Sequence, residues 1–178
     1  LSFFVISFVE VGLAQKIYIS EFMASNSDTL EDSDGDNSDW IELFNASEDS
    51  VSLDGWFLSD DQSNLGKWEF PAVAIGAGQF MVIFASDKDR RDPASQLHSN
   101  FKLTSSGEYL GLIRPDGVTI EHEYGANYPP QVNDVSYGLS MGSNNSIVLD
   151  SGAPLKWKIP TNNNDAVLAG NNPNSWIT

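Results

Sequence analysis

The sequence predicts an all-β fold, an antiparallel β-sandwich, on three observations. From Lys16 onward apolar residues come in short bursts parted by Gly, Asn, Asp and Ser. No stretch keeps a helical period of apolar residues over about three turns. Aromatic residues make up 11% of the chain, with 10 Phe, 5 Trp and 5 Tyr, so a core can be filled although the average composition is polar. At 178 residues there is room for one well-buried domain with flanking segments, and two full domains would be a squeeze.

The expected strands, in order, are Ile17–Ala24, Trp40–Asn45, Gly55–Ser59, Lys67–Phe70, Gln79–Ala85, Tyr109–Arg114 and Val118–Tyr124, with weaker signals at Val51–Leu53 and Ser136–Leu139. In the second, Ile41 and Leu43 alternate with Trp40, Glu42 and Phe44, and both sets carry large side chains, so it is expected in the middle of a sheet. Phe80 to Phe84 is apolar without a break and is expected to be buried on both faces. Turns are expected at Asp54-Gly55, Gly76-Ala77-Gly78 and Pro115-Asp116-Gly117, where Gly supplies positive φ and Pro presets its own. The last reads as a hairpin between its two flanking strands.

The termini differ from this middle. Leu1–Val9 is almost wholly apolar and Gly12-Leu13-Ala14 offers small residues for a signal peptidase, so residues 1–14 are expected to be the remnant of a signal peptide whose start is cut off. The stretch is too short for a membrane-spanning helix, which leads to an expectation of a secreted or cell-surface protein with no membrane insertion after cleavage. After Ser140 a Gly/Asn/Ser run begins, and residues 141–178 are expected to be a linker followed by either the start of a further domain or a strand pair that packs back on the sandwich.

Charge narrows the partners. Lys and Arg number 9 against 25 Asp and Glu, a net charge of −16, and such a surface repels phosphate backbones and anionic lipid. Nucleic acid is thereby excluded. The chain has no cysteine, which rules out disulfides and thiolate metal sites.

Several motifs in order resemble the bacterial lamin-tail domain. They are Ile19-Ser20-Glu21-Phe22-Met23-Ala24, Asp39-Trp40-Ile41-Glu42-Leu43-Phe44-Asn45, Leu53-Asp54-Gly55-Trp56-Phe57-Leu58-Ser59-Asp60 and Lys67-Trp68-Glu69-Phe70-Pro71. Phe84 to Arg91, Leu97 to Leu103, Gly107-Glu108 and Val135-Ser136-Tyr137-Gly138 look like the later landmarks of the same family, and the resemblance covers residues 16–140. It implies an immunoglobulin-like β-sandwich serving as an accessory module of secreted or surface proteins, with no catalytic residues to carry over.

The richest polar cluster is Glu31 to Asp39. There Asp32, Asp34, Asp36 and Asp39 are the candidate ligands for calcium, a hard cation that takes six to eight oxygens. The spacing is not that of an EF-hand, because Asn37 stands where Gly is needed and Leu43 where a bidentate Glu should be. The bland reading is a solvated acidic connection between strands. Asp60-Asp61 with Glu69 is a weaker acidic group, and the mixed-sign run Asp87 to Asp92 is expected to be an exposed, self-paired loop. His98 and His122 have no second His or Cys nearby to form a metal or nucleophile site, and no Gly-x-Ser-x-Gly elbow is present, so no enzyme activity is expected.

Trp40, Trp56, Trp68 and Tyr109 could stack on sugar rings, but each sits in a strand burst and is expected in the core. The expected function is a non-enzymatic extracellular binding or spacer module whose partner is an extracellular protein or surface polymer. The alternatives are a carbohydrate-binding module accessory to an attached enzyme, and a calcium-stabilised fragment of a secreted hydrolase.

Overall fold

The computed structural model describes residues 17–139, so the expected signal remnant and the expected linker lie outside the described residues. Eleven strands and no helix occur among the described residues: β1 Ile17–Met23, β2 Asp39–Asn45, β3 Val51–Ser52, β4 Phe57–Ser59, β5 Trp68–Glu69, β6 Ala74–Ile75, β7 Phe80–Ala85, β8 Leu97–His98, β9 Gly111–Ile113, β10 Ile120–Glu123 and β11 Tyr137–Gly138. They form a five-stranded sheet in the order β11-β1-β2-β7-β8, a four-stranded sheet β10-β9-β4-β5 and a small pair β3-β6.

All ladders are antiparallel except β7 with β8, which run parallel. The expected antiparallel sandwich is present, with one parallel pair at its edge. A parallel pair needs a crossover longer than a hairpin turn, and residues 86–96 supply it.

The core lies between the two large sheets. Ile17, Ile19, Phe22, Ile41, Leu43 and Ile83 come from the first, and Leu58, Trp68, Leu110 and Leu112 come from the other layer. On β1 the register slips between Ile19 and Glu21, so the alternation restarts one residue late and keeps Phe22 on the same buried side as Ile17 and Ile19. Without that bulge Phe22 would face outward.

β2 is central, as its pattern predicts, paired with β1 on one side and β7 on the other. β7 departs from expectation. Phe80 is 52% exposed and Val82 36%, while Ile83, Phe84 and Ala85 are buried. An unbroken apolar run does not tell a strand covered on both faces from one whose outer face is covered only at one end, and here the cover reaches Phe84 alone. The hairpin expected at Pro115-Asp116-Gly117 joins β9 to β10, with Asp116 Oδ1 accepting from Val118 N (3.0 Å) and Thr119 N (2.8 Å).

Trp68 and Tyr109 are core residues, and Trp40 and Trp56 are half-buried. The indole of Trp68 packs on Phe70 with ring centres 4.8 Å apart, and its Nε1 donates to Asp89 Oδ1 at 3.1 Å.

Candidate cation site in the acidic loop

Residues 24–38 leave β1 and return to β2, and within this loop the Asp32 carboxylate organises its own backbone. Asp32 Oδ1 accepts the amides of Asp34 (2.9 Å) and Asp36 (3.1 Å), while the Asp32 carbonyl accepts Gly35 N at 2.9 Å. This is the local side-chain-to-backbone turn that Asp forms readily, and Gly35 at φ 81° closes it without strain from a side chain. Asp32 Oδ2 accepts the Ser38 hydroxyl at 3.0 Å.

Three of the four expected carboxylates converge here, with Asp32, Asp34 and Asp36 each presenting an oxygen within 4.8 Å of the others. They share a cation from the chain itself. Lys88 Nζ donates to Asp32 Oδ2 at 2.6 Å, Asp34 Oδ2 at 2.7 Å and Asp36 Oδ2 at 2.9 Å, and Arg90 Nη2 reaches Asp34 Oδ2 at 2.7 Å. An ammonium has three N–H donors, and all three have a carboxylate. Asp32 is sealed, with a side chain 0% exposed, while the Lys88 side chain is 20% exposed.

Asp39 stands apart. At the start of β2 it accepts from Asn26 N at 3.3 Å, and burial raises its carboxyl above the usual value against the pull of the Asn26 and Leu103 amides.

The segment after β7 aims Lys88. Asp87 (φ 64°) and Asp89 (φ 46°) both take the left-handed conformation that Asp tolerates better than most residues, and their amides are tied to Phe101 O (3.2 Å) and Ser99 O (3.1 Å). The run Asp87 to Asp92 is therefore not the self-paired loop expected from its mixed signs. Only Arg91 pairs within it, with Asp89 at 2.8 Å. Lys88 and Arg90 reach across to the acidic loop, where three carboxylates attract them more than single neighbours do. The other acidic group does not gather ligands: Asp60 pairs with Lys67 at 2.6 Å, and Asp61 caps the turn at Ser63.

Electrostatics follow from these contacts. Burial opposes the charge on Asp32, but the Lys88 ammonium, the Asp36 and Asp34 amides and the Ser38 hydroxyl outweigh it and hold the carboxyl well below the usual range. Arg90 and Lys88 bring Asp34 down to about 2. Lys88 is held above its ordinary value by the three carboxylates, in spite of partial burial.

The wall beside the cluster holds a serine-histidine pair, Ser86 Oγ and His98 Nδ1 at 2.8 Å, both side chains buried. His98 stacks on Phe84 with centres 5.3 Å apart, and burial lowers its pKa. The nearby Asp32 is fully engaged by Lys88, Ser38 and backbone amides, so it does not orient this imidazole as a catalytic third member would. The other histidine, His122, accepts a backbone amide of β1.

Two layers of β-sheet, a buried inter-sheet core and no assembled catalytic constellation among the described residues define a β-sandwich module of the immunoglobulin type. Residues 13–127 match the model of the Lamin Tail Domain, which is most of the chain, and the protein belongs to that family. The family is an immunoglobulin-like, non-catalytic domain family. No curated protein matches the chain.

Proposed function

We propose that the domain is a non-enzymatic interaction module of a secreted or cell-surface bacterial protein, docking an extracellular polypeptide on the outer face of β2 and β7. One observation carries this reading: the aromatic pair on that face, in which Phe80 is exposed and Phe44 half-buried. Phe44 and Phe80 lie directly opposite in the ladder with ring centres 4.6 Å apart, and Val82, also exposed, continues the patch. Apolar side chains side by side on a sheet surface favour a partner that covers them.

Charge favours a neutral or cationic partner. Lys67, Lys88, Arg90, Arg91 and Arg114 each already hold a carboxylate of this chain, which leaves a net anionic exterior. The carbohydrate-binding alternative loses two of its four platform residues, because Trp68 and Tyr109 are buried. Calcium enters the proposal only as a competitor of Lys88 in the acidic loop.

The test is a Phe80→Ser, Val82→Ser double variant, assayed beside the wild type for binding to isolated cell-surface protein and polysaccharide fractions. Loss of protein binding with an unchanged melting temperature supports the proposal. Equal binding by the two forms, or retention on polysaccharide alone, overturns it.

A further inference from the structure

We propose that His122 is a pH-sensitive latch on the edge of β1 away from β2, accepting the Ile19 amide as a neutral imidazole and releasing it as an imidazolium. β1 pairs with β2 along its whole length on one side, but on the other β11 covers only Glu21 and Phe22. Among the described residues no strand is paired with Ile17 or Ile19 on that side. Side chains from β10 and the residue after it take that place: Glu121 Oε1 accepts Ile17 N at 3.2 Å, His122 Nδ1 accepts Ile19 N at 3.3 Å, and the Tyr124 hydroxyl donates to Ile19 O at 3.0 Å.

Consecutive residues of a regular strand point to opposite faces, so Glu121 and His122 could not both reach β1 from an unbroken β10. The ladder between β10 and β9 slips between Ile120 and His122, and this bulge turns both side chains to the same edge. The imidazole is further held by the edges of Tyr18 (5.7 Å between centres) and Tyr124 (5.3 Å). An Nδ1 that accepts a backbone N–H must be unprotonated, which places the ring proton of the neutral form on Nε2. Protonation at Nδ1 would set two donors against each other and break the contact.

Among the described residues the charged groups around the ring include Glu121 and Glu123 on its own strand, with Arg114 of the β9–β10 hairpin tied to Glu121. Tyr18 faces it from β1, and Tyr124 follows on its own chain segment. Burial keeps the imidazole below its ordinary pKa of 6.5 although the two glutamates pull the other way. Mild acid thus frees the Ile19 amide from its side-chain acceptor.

Amide hydrogen exchange tests this, with Ile19 read as a ratio to Ile41 in the neighbouring strand so that the intrinsic pH dependence cancels. The expected result is a loss of relative Ile19 protection of about tenfold across the titration of His122, the effect of one lost hydrogen bond. In His122→Gln, whose amide oxygen accepts at every pH, the ratio should stay flat. Imidazole nitrogen shifts of the wild type give a reading that needs no variant, and an Nδ1-protonated neutral tautomer overturns the proposal. A constant wild-type ratio, or the same loss in His122→Gln, overturns it as well.

Discussion

At Lys88 a single ammonium serves three carboxylates, and the most demanding of them is Asp32, which has no contact with solvent. Removing one partner of a buried pair leaves an uncompensated charge, a change that costs about 3–5 kcal/mol. Lys88→Ala should fall near the lower end, because Asp34 and Asp36 are exposed and can turn to water, and thermal or urea unfolding measures it. Lys88→Ala with Asp32→Asn should recover part of the loss, since the stranded charge goes with its partner. The same residue decides the calcium question. In the wild type a calcium ion must displace Nζ, whereas in Lys88→Ala the Asp32 and Asp36 oxygens stand open and Asp34 keeps only Arg90, so millimolar calcium should raise the melting temperature of the variant more than that of the wild type. An equal rise in both would show that Lys88 does not block the ion. None of this could be read from Asp32 to Asp39 alone: an acidic run looks the same whether its cation comes from solvent or from a lysine 56 residues later. The clue in the sequence was the second run, Asp87 to Asp92, whose cations needed partners.

Among the elements, β11 shows how closely a two-residue strand can be specified. Gly138 lies opposite Glu21, and a Cβ there would overlap the Ser20 carbonyl oxygen of β1, a backbone atom that cannot swing aside. Gly138→Ala should therefore loosen β11 and raise hydrogen exchange at Leu139, whose amide donates to Ser20 O at 2.8 Å, with little change at Ile41. Uniform exchange across both sites would show that β11 is not held by this close approach. The longer strands were legible because their bursts are apolar and bounded by turn residues, and the Asp116-Gly117 hairpin because its turn chemistry is local. β6 was not legible as a strand: Ala74–Ile75 is two residues long and owes its pairing to β3, 22 residues earlier by the Ser52-to-Ala74 pair. The parallel edge β8 carried no periodic signal either, and was visible only as a family landmark. The outer face of β7 is not legible in its own sequence because burial there depends on which side chains reach it, as His98 does at Phe84. That is a property of tertiary structure, and no strand pattern reports it.

For the molecule as a whole, pH and salt separate the charges that stabilise the fold from those that strain it. His98 and His122 have folded pKa values below 6.5, so the unfolded chain takes up protons first and stability is lost as pH falls through about 6.5 toward the folded values. Asp32, Asp34, Asp61 and Asp116 lie below 3.8 when folded, so their contribution is present above that value and is lost as pH drops beneath it; Asp39, raised, works in the opposite direction. A melting-temperature profile should therefore descend on the acid side in two stages rather than one. Salt acts on a different set of charges. With 25 acidic against 9 basic residues the compact state repels itself, and this repulsion is spread over exposed carboxylates that lack an internal cation. Screening sets in within about 10 Å at 0.1 M salt and weakens that repulsion, while the contact between Lys88 and the sealed Asp32 is screened much less. Adding sodium chloride at pH 7 should accordingly raise the melting temperature of the wild type, and raise that of Lys88→Ala further, because the variant strips Asp32 and Asp36 of their cation and leaves Asp34 with Arg90 alone. A melting temperature that falls with salt would mean that exposed ion pairs, rather than the buried cluster and the core, carry the electrostatic part of the stability.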